Sequence, residues 1–215
     1  MNMIFQAIRP AVSVFFLLSV ITGIAYPLLV TGVAQLAFPQ AAKGSIVEVN
    51  GQAVGSLLIG QSFTDARYFW SRPSATGTMA NNGAASGGSN LGANNPALVD
   101  AVTSRIAALR AADPGNSLPV PIDLVTASGS GLDPDISLAA ASYQAPRVAR
   151  ARGLSLDAVK ALIAQHAKTP WLGVVGEPRV NVLALNLALN QALNQALNQA
   201  LNPAPGSALP VQPAR

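Results

Sequence analysis

The sequence predicts an α/β mixed extracytoplasmic domain anchored by one N-terminal transmembrane helix. Three observations point to it. No charged residue occurs between Arg9 and Lys43, and Ala11 to Leu36 is a nearly continuous apolar run; about 20 such residues cross a hydrocarbon core of about 30 Å. After Pro39 the composition turns globular, with Gly, Pro and Asn signals separating short strand-like stretches from helical ones. Charged residues are sparse, 10% of 215 against a globular norm of about 25%, which excludes an extended, self-repelling chain. Four parts are expected: a short cytoplasmic arm (1–10), the membrane helix (11–36), a periplasmic α/β domain (37–190), and a low-complexity repeat with a proline-rich tail (191–215).

The apolar run exceeds the core of a cleaved signal peptide, about 7–15 residues, so an uncleaved anchor is expected. Arg9 on one side and Lys43 on the other nearly tie the positive-inside count. The short arm leaves little to translocate if it stays inside, which places the N-terminus in the cytoplasm and everything after Leu36 outside. Within the run, Ser19, Gly23, Pro27, Thr31 and Gln35 recur every four residues. Small and hydroxyl or amide residues on one face let a second helix approach and bond across the contact; a lone anchor also tolerates them. Pro27 removes a backbone donor and is expected to kink the helix.

Beyond the membrane, Ser45–Val49 and Gln52–Ile59 flank Asn50-Gly51, the signature of a type I′ hairpin. Residues 76–95, rich in Gly, Asn, Ser and Ala, read as a long loop. Asn95-Pro96 is an N-cap and first-turn proline, opening a helix through Leu98, Val102, Ile106 and Leu109 that Asp113-Pro114-Gly115 ends. Pro121–Thr126 reads as a short buried strand. Asp133-Pro134 reads as a second helix start, running to about Gln144 before Pro146 breaks it. Gly153 and Ser155 punctuate the next start, with Leu156, Val159, Leu162 and Ile163 as its apolar stripe. Arg179–Leu183 reads as a strand leading into a terminal helix. There the LNQA unit repeats as far as Leu201, and its leucines four apart advance about 40° per repeat, so the stripe winds off any straight seam. The end from Pro203 reads as disordered.

The chemistry is mostly exclusion. With no cysteine and one histidine, thiolate and His-rich metal sites are excluded, and no metal is expected. The scattered basic residues, 13 against 9 acidic, give no nucleic-acid footprint. No phosphate-binding G-x-x-x-x-G-K-[ST] and no G-x-S-x-G elbow occurs. His166 beside the apolar stripe reads as structural. Asp133 and Asp135 read as helix caps more readily than as a carboxylate pair. Arg147, Arg150 and Arg152 form a basic cluster at a helix end, placed for the dipole or for an acidic partner. The Gly/Ser loops 86–96 and 126–131 either hold an anion on backbone N–H groups or pack tightly on a neighbour. Phe69, Trp70, Arg72 and Pro73 are candidates for a subunit interface or for anchoring the long loop, with Phe69 and Trp70 equally readable as core. Two further readings stay open: a membrane-anchored extracytoplasmic enzyme, and a secreted binding protein made by signal cleavage.

Six motifs fall in order: GSLLIGQSF at 55–63, FWSRPSA at 69–75, SGGSNLGANNP at 86–96, DLVTASGSGLDPDIS at 123–137, QAPRVARARGL at 144–154 and GEPRVNVLALNLAL at 176–189. With the N-terminal helix, they closely resemble the C subunit of the bacterial Kdp potassium-transporting P-type ATPase over about residues 5 to 190. The LNQA extension and tail are not recognisable as part of that pattern. The resemblance implies a non-catalytic accessory and assembly subunit of an ATP-driven, high-affinity potassium import complex in the cell inner membrane. Its implied partners are the lipid bilayer, a channel-like potassium-binding subunit and a P-type ATPase subunit. It also implies a catalytic chaperone that raises the ATP affinity of the ATPase subunit, with Ser86, Gly87, Gly88, Ser89, Asn90 and Gln144 as nucleotide contacts. No cofactor is expected to be firmly bound, ATP acting through the complex. A periplasmic domain and direct contact with cytoplasmic ATP exclude one another; binding one pump conformation better is the indirect route. Neither a D-K-T-G phosphorylation motif nor a T-V-G-Y-G-like filter occurs.

Overall fold

The computed structural model describes residues 2–170, 173 and 175–201. The expected disorder of the proline-rich end falls outside them. The chain divides into two compact units between Ser56 and Leu57.

The first unit begins with α1 (Asn2–Val20), a π-helical turn (Ile21–Ala25), α2 (Tyr26–Ala37) and α3 (Pro39–Ala42). Residues 6–37 form one helix long and apolar enough to cross a membrane, with mean hydropathy 2.2 and none of it buried. Pro27 has no N–H, and its ring would strike the carbonyl of Gly23 in an unbroken α-helix. The chain absorbs this with the π turn, in which Tyr26 N–H donates to Ile21 O five residues back. Next come β1 (Ile46–Val49) and β2 (Gln52–Ser56), paired antiparallel with a bulge between Val47 and Glu48. Asn50 (φ 53°) and Gly51 (φ 77°) supply the two positive-φ positions of the turn. The second strand ends at Ser56, earlier than expected.

The second unit opens with 39 residues, 57–95, that contain no helix or strand. Then α4 (Pro96–Ala112) starts where expected, with the Asn95 side chain accepting from Ala97 N. A single 3₁₀ turn (Ile122–Leu124) stands where a strand was expected. Pro121 and Ile122 carbonyls close i→i+3 bonds with Leu124 and Val125, and the Thr126 hydroxyl also bonds Ile122 O, a local closure that competes with a ladder.

The Asp133–Asp135 stretch is likewise not a helix start. Asp135–Ser137 is β3, and α5 (Leu138–Arg152) begins only after Ser137, whose hydroxyl accepts from Ala140 N. Strand pairing decides this, because β3 lies antiparallel to β5 (Arg179–Asn181) with Ile136 opposite Val180, both buried. β4 (Ala167–Lys168) pairs on the other side of β5. Pro146 does not end α5. The carbonyl it deprives of a donor belongs to Ser142, on the exposed side, where water can serve it. Its neighbours Ala145, Arg147, Val148 and Ala149 are buried, and this packing offsets a helix penalty of about 3 kcal/mol.

Gly153 (φ 64°) closes α5 in the left-handed conformation, and Ser155 caps α6 (Leu156–His166). Val159 and Ile163 bury its stripe. α7 (Val182–Leu201) follows β5 directly, capped by Asn181, whose Oδ1 accepts from Ala184 N. Leu185 and Leu189 are fully buried while Leu193 is already exposed. The winding of the four-residue stripe thus carries the repeat out of the core within one copy. The core gathers Phe69, Leu124, Ile136, Val148, Val159, Val180 and Leu185.

Candidate functional site

The long loop is held at its centre by two side-chain amides. Phe69 has 0% exposure. Its N–H donates to Asn186 Oδ1 at 2.8 Å, and its carbonyl accepts from Asn186 Nδ2 at 3.0 Å. Trp70 N–H donates to Gln144 Oε1 at 2.8 Å, and Gln144 Nε2 returns to Trp70 O at 3.1 Å. Asn186 on α7 and Gln144 on α5 thus act as substitute strand partners, satisfying buried peptide groups that no sheet reaches. Arg147 completes the clamp, donating to Ala66 O (2.5 Å), Tyr68 O (3.1 Å) and Gln144 Oε1 (2.8 Å). Its guanidinium lies 4.6 Å from the centre of the Trp70 ring, a cation–π placement. Burial pushes its pKa down to about 10, with the charges of Asp113 and Asp65 acting the other way; it stays protonated at neutral pH.

A second set of ties begins at Arg72, whose Nη1 pairs with Asp133 Oδ2 at 2.9 Å. Pro73 O accepts from Ser128 N at 3.2 Å. Ser74 donates to Gly131 O at 2.7 Å and accepts from Asn81 N at 2.9 Å. The two Gly/Ser loops close on each other. Gly87 N bonds Ser130 O at 2.8 Å, and the Ser86 hydroxyl bonds the same carbonyl at 3.1 Å. A Cβ on Gly88 would sit 2.8 Å from Gly129 O, and one on Gly131 2.6 Å from Gly87 O. Glycine at these two positions therefore serves backbone contact. Ser86, Ser89 and Asn90 are exposed, and Asn90 Nδ2 bonds Gly88 O at 3.3 Å. Gln144, by contrast, is 1% exposed with its oxygen already accepting twice. The structure does not bring it into one open site with residues 86–90.

The basic cluster on α5 separates by role. Arg147 clamps the loop, Arg150 pairs with buried Asp113, and Arg152 lies over the Tyr68 ring and bonds Asn190 Oδ1 at 2.9 Å. Asp133 and Asp135 do not cap a helix. Asp133 holds Arg72, and Asp135 pairs with Arg179 at 2.8 Å. Among the described residues no three His, Asp or Glu side chains gather as metal ligands.

In the first unit, Ser19, Gly23, Pro27, Thr31 and Gln35 are all exposed. Over 16 residues of regular α-helix their row would drift about 160°. The π turn at Ile21–Ala25 absorbs one extra residue, about 100° of rotation against that drift. Sequence reasoning missed Asn186, whose signal is a polar residue recurring inside the leucine stripe.

These features define a class: an apolar helix of membrane-crossing length joined to a small loop-stapled domain whose polar side chains hold its own backbone. The family whose pattern matches residues 8–191 is described as K+-transporting ATPase, c chain. The chain is 66% identical to the potassium-transporting ATPase KdpC subunit of Polaromonas naphthalenivorans, over 84% of this chain and 92% of that one. It is 64% identical to the KdpC subunits of Methylibium petroleiphilum (84% and 94% covered) and Variovorax paradoxus (85% and 94%). The chain belongs to the KdpC family. It is a subunit of the K+-transporting ATPase complex and is not catalytic by itself.

Proposed function

We propose that this chain is an uncleaved, single-pass subunit of the bacterial inner membrane, with its N-terminus in the cytoplasm and its α/β domain in the periplasm. There it assembles and stabilises a potassium importer by contacting a channel-like potassium-binding subunit and a P-type ATPase subunit. The observation that carries this is the unburied apolar helix at 6–37, on a chain whose match to the family covers residues 8–191. An unburied helix of this hydropathy needs lipid or partner helices around it.

In this reading the subunit raises ATP affinity indirectly, by binding one conformation of the ATPase subunit better than the other. ATP reaches the complex through that subunit, and Ser86 to Asn90 and Gln144 act by holding the loop rather than by touching nucleotide. The test is affinity purification of the tagged chain from gently solubilised membranes at low potassium. Co-elution of a P-type ATPase chain and a larger multi-span chain is the expected result. Intact mass of the mature chain tests the anchor, since a start near Lys43 would refute it in favour of a secreted protein.

A further inference from the structure

We infer that the pocket between α4 and the Trp70–Ser74 stretch receives a single acidic side chain from a partner subunit, with Arg105 as its contact residue. This deepens the assembly reading and rests on it. The pocket measures about 220 Å³. That is below the roughly 300–1,000 Å³ of ligand sites for drug-sized molecules, so it suits one side chain and is too small for a nucleotide. Phe63, Trp70, Leu109 and Leu124 form its apolar wall, and Arg72 and Arg105 bring two guanidinium groups to it, while no carboxylate lines it.

The two cations are not equivalent. Arg72 is neutralised by Asp133, which lines the neighbouring acidic pocket and not this one. Among the described residues Arg105 makes one hydrogen bond, from Nη1 to Val125 O at 2.8 Å. It belongs to none of the ion pairs among the described residues. In the free chain, water serves its remaining N–H groups. A partner that covered the pocket with an apolar group would strip that water and leave the cation unpaired, at a large desolvation cost. A carboxylate meets the same donors with charge-assisted bonds, and the apolar wall strengthens the attraction by excluding water. Charge complementarity therefore selects an aspartate or glutamate as the occupant.

The test uses the detergent-solubilised complex purified through this chain. Arg105→Lys keeps the positive charge and introduces an amine, which a carbodiimide couples only to a carboxylate in direct contact. The expected product is an amide between that amine and an aspartate or glutamate of a co-purified subunit, identified by peptide mass spectrometry. Arg105→Glu is expected to retain at least about tenfold less of that same subunit, through like-charge repulsion. With the subunits present, the absence of the cross-link, its formation only within this chain, or undiminished retention of Arg105→Glu overturns the proposal while leaving the assembly reading intact. If the unmodified chain brings down no subunits, the assembly reading itself fails, and the pocket proposal with it.

Discussion

Replacing Asn186 with leucine removes the amide that pairs with both the N–H and the carbonyl of Phe69, at 2.8 and 3.0 Å. Leucine fills similar space on α7 but offers no polar atom. One buried donor and one buried acceptor are then left unsatisfied, each costing about 1–3 kcal/mol. The expected loss is about 4 kcal/mol, a large part of the 5–15 kcal/mol typical of a domain. At about 2–4 °C per kcal/mol for a chain of this size, the melting point should fall by about 8–16 °C. The repeat supplies its own controls. Asn190, four residues later, is half-buried and among the described residues bonds only Arg152, so Asn190→Leu should cost about 1 kcal/mol. Asn194, a further unit on, is exposed, and Asn194→Leu should stay within about 0.5 kcal/mol of the parent. Thermal unfolding of the full chain in detergent, followed by circular dichroism, measures all three. Equal, small effects at the three asparagines would refute the idea that α7 docks through Asn186 and leaves the core along the repeat.

Tyr143, Asp65 and Gly131 carry the remaining expected outcomes. Among the described residues the buried Tyr143 hydroxyl has no hydrogen-bond partner, so Tyr143→Phe should leave stability unchanged or raise it by about 1 kcal/mol in denaturant unfolding. Burial also pushes the phenol pKa up, which absorbance titration of the parent should show. The Asp65 carboxyl is held down to about 2 by the Arg67 side chain, and next by the Arg67 backbone N–H. Its folded pKa lies below the unfolded value of 3.8, so its contribution is present above about pH 4 and is lost as pH falls through about 2. Carbon-detected NMR should show the low midpoint, and Arg67→Ala should return it toward 3.8. Gly131 has φ 68°, and an added Cβ would meet Gly87 O and Thr76 Cγ2 at 2.6 Å each. Gly131→Ala should therefore cost about 2–4 kcal/mol, whereas Gly77→Ala, with nothing within 4 Å, should cost almost nothing.

Parts of the fold were legible because local backbone rules produce them. The Asn50-Gly51 turn and the Asn95 and Ser155 caps each depend on residues within a few positions of one another. The stretches read wrongly share the opposite property. Asp133-Pro134 carries a helix-start signal, yet β5, about 45 residues on, recruits Asp135–Ser137 as a strand. Pro146 carries a helix-stop signal, yet core packing on both sides of it holds α5 together. Pro121–Thr126 has the apolar residues of a strand, yet its own carbonyls and the Thr126 hydroxyl close it as a 3₁₀ turn.

The sequence by itself determined the apolar span, the hairpin, the starts of α4 and α6, and the family, because each is written in adjacent residues or in an ordered set of motifs. Only the tertiary structure decided what holds the loop of residues 57–95. Its anchors are the amides of Gln144 and Asn186, 74 and 117 residues away from the peptides they bind. Those side chains meet the loop only because unpaired peptide groups, once forced into an apolar core, must find a donor or acceptor wherever the packed chain happens to bring one.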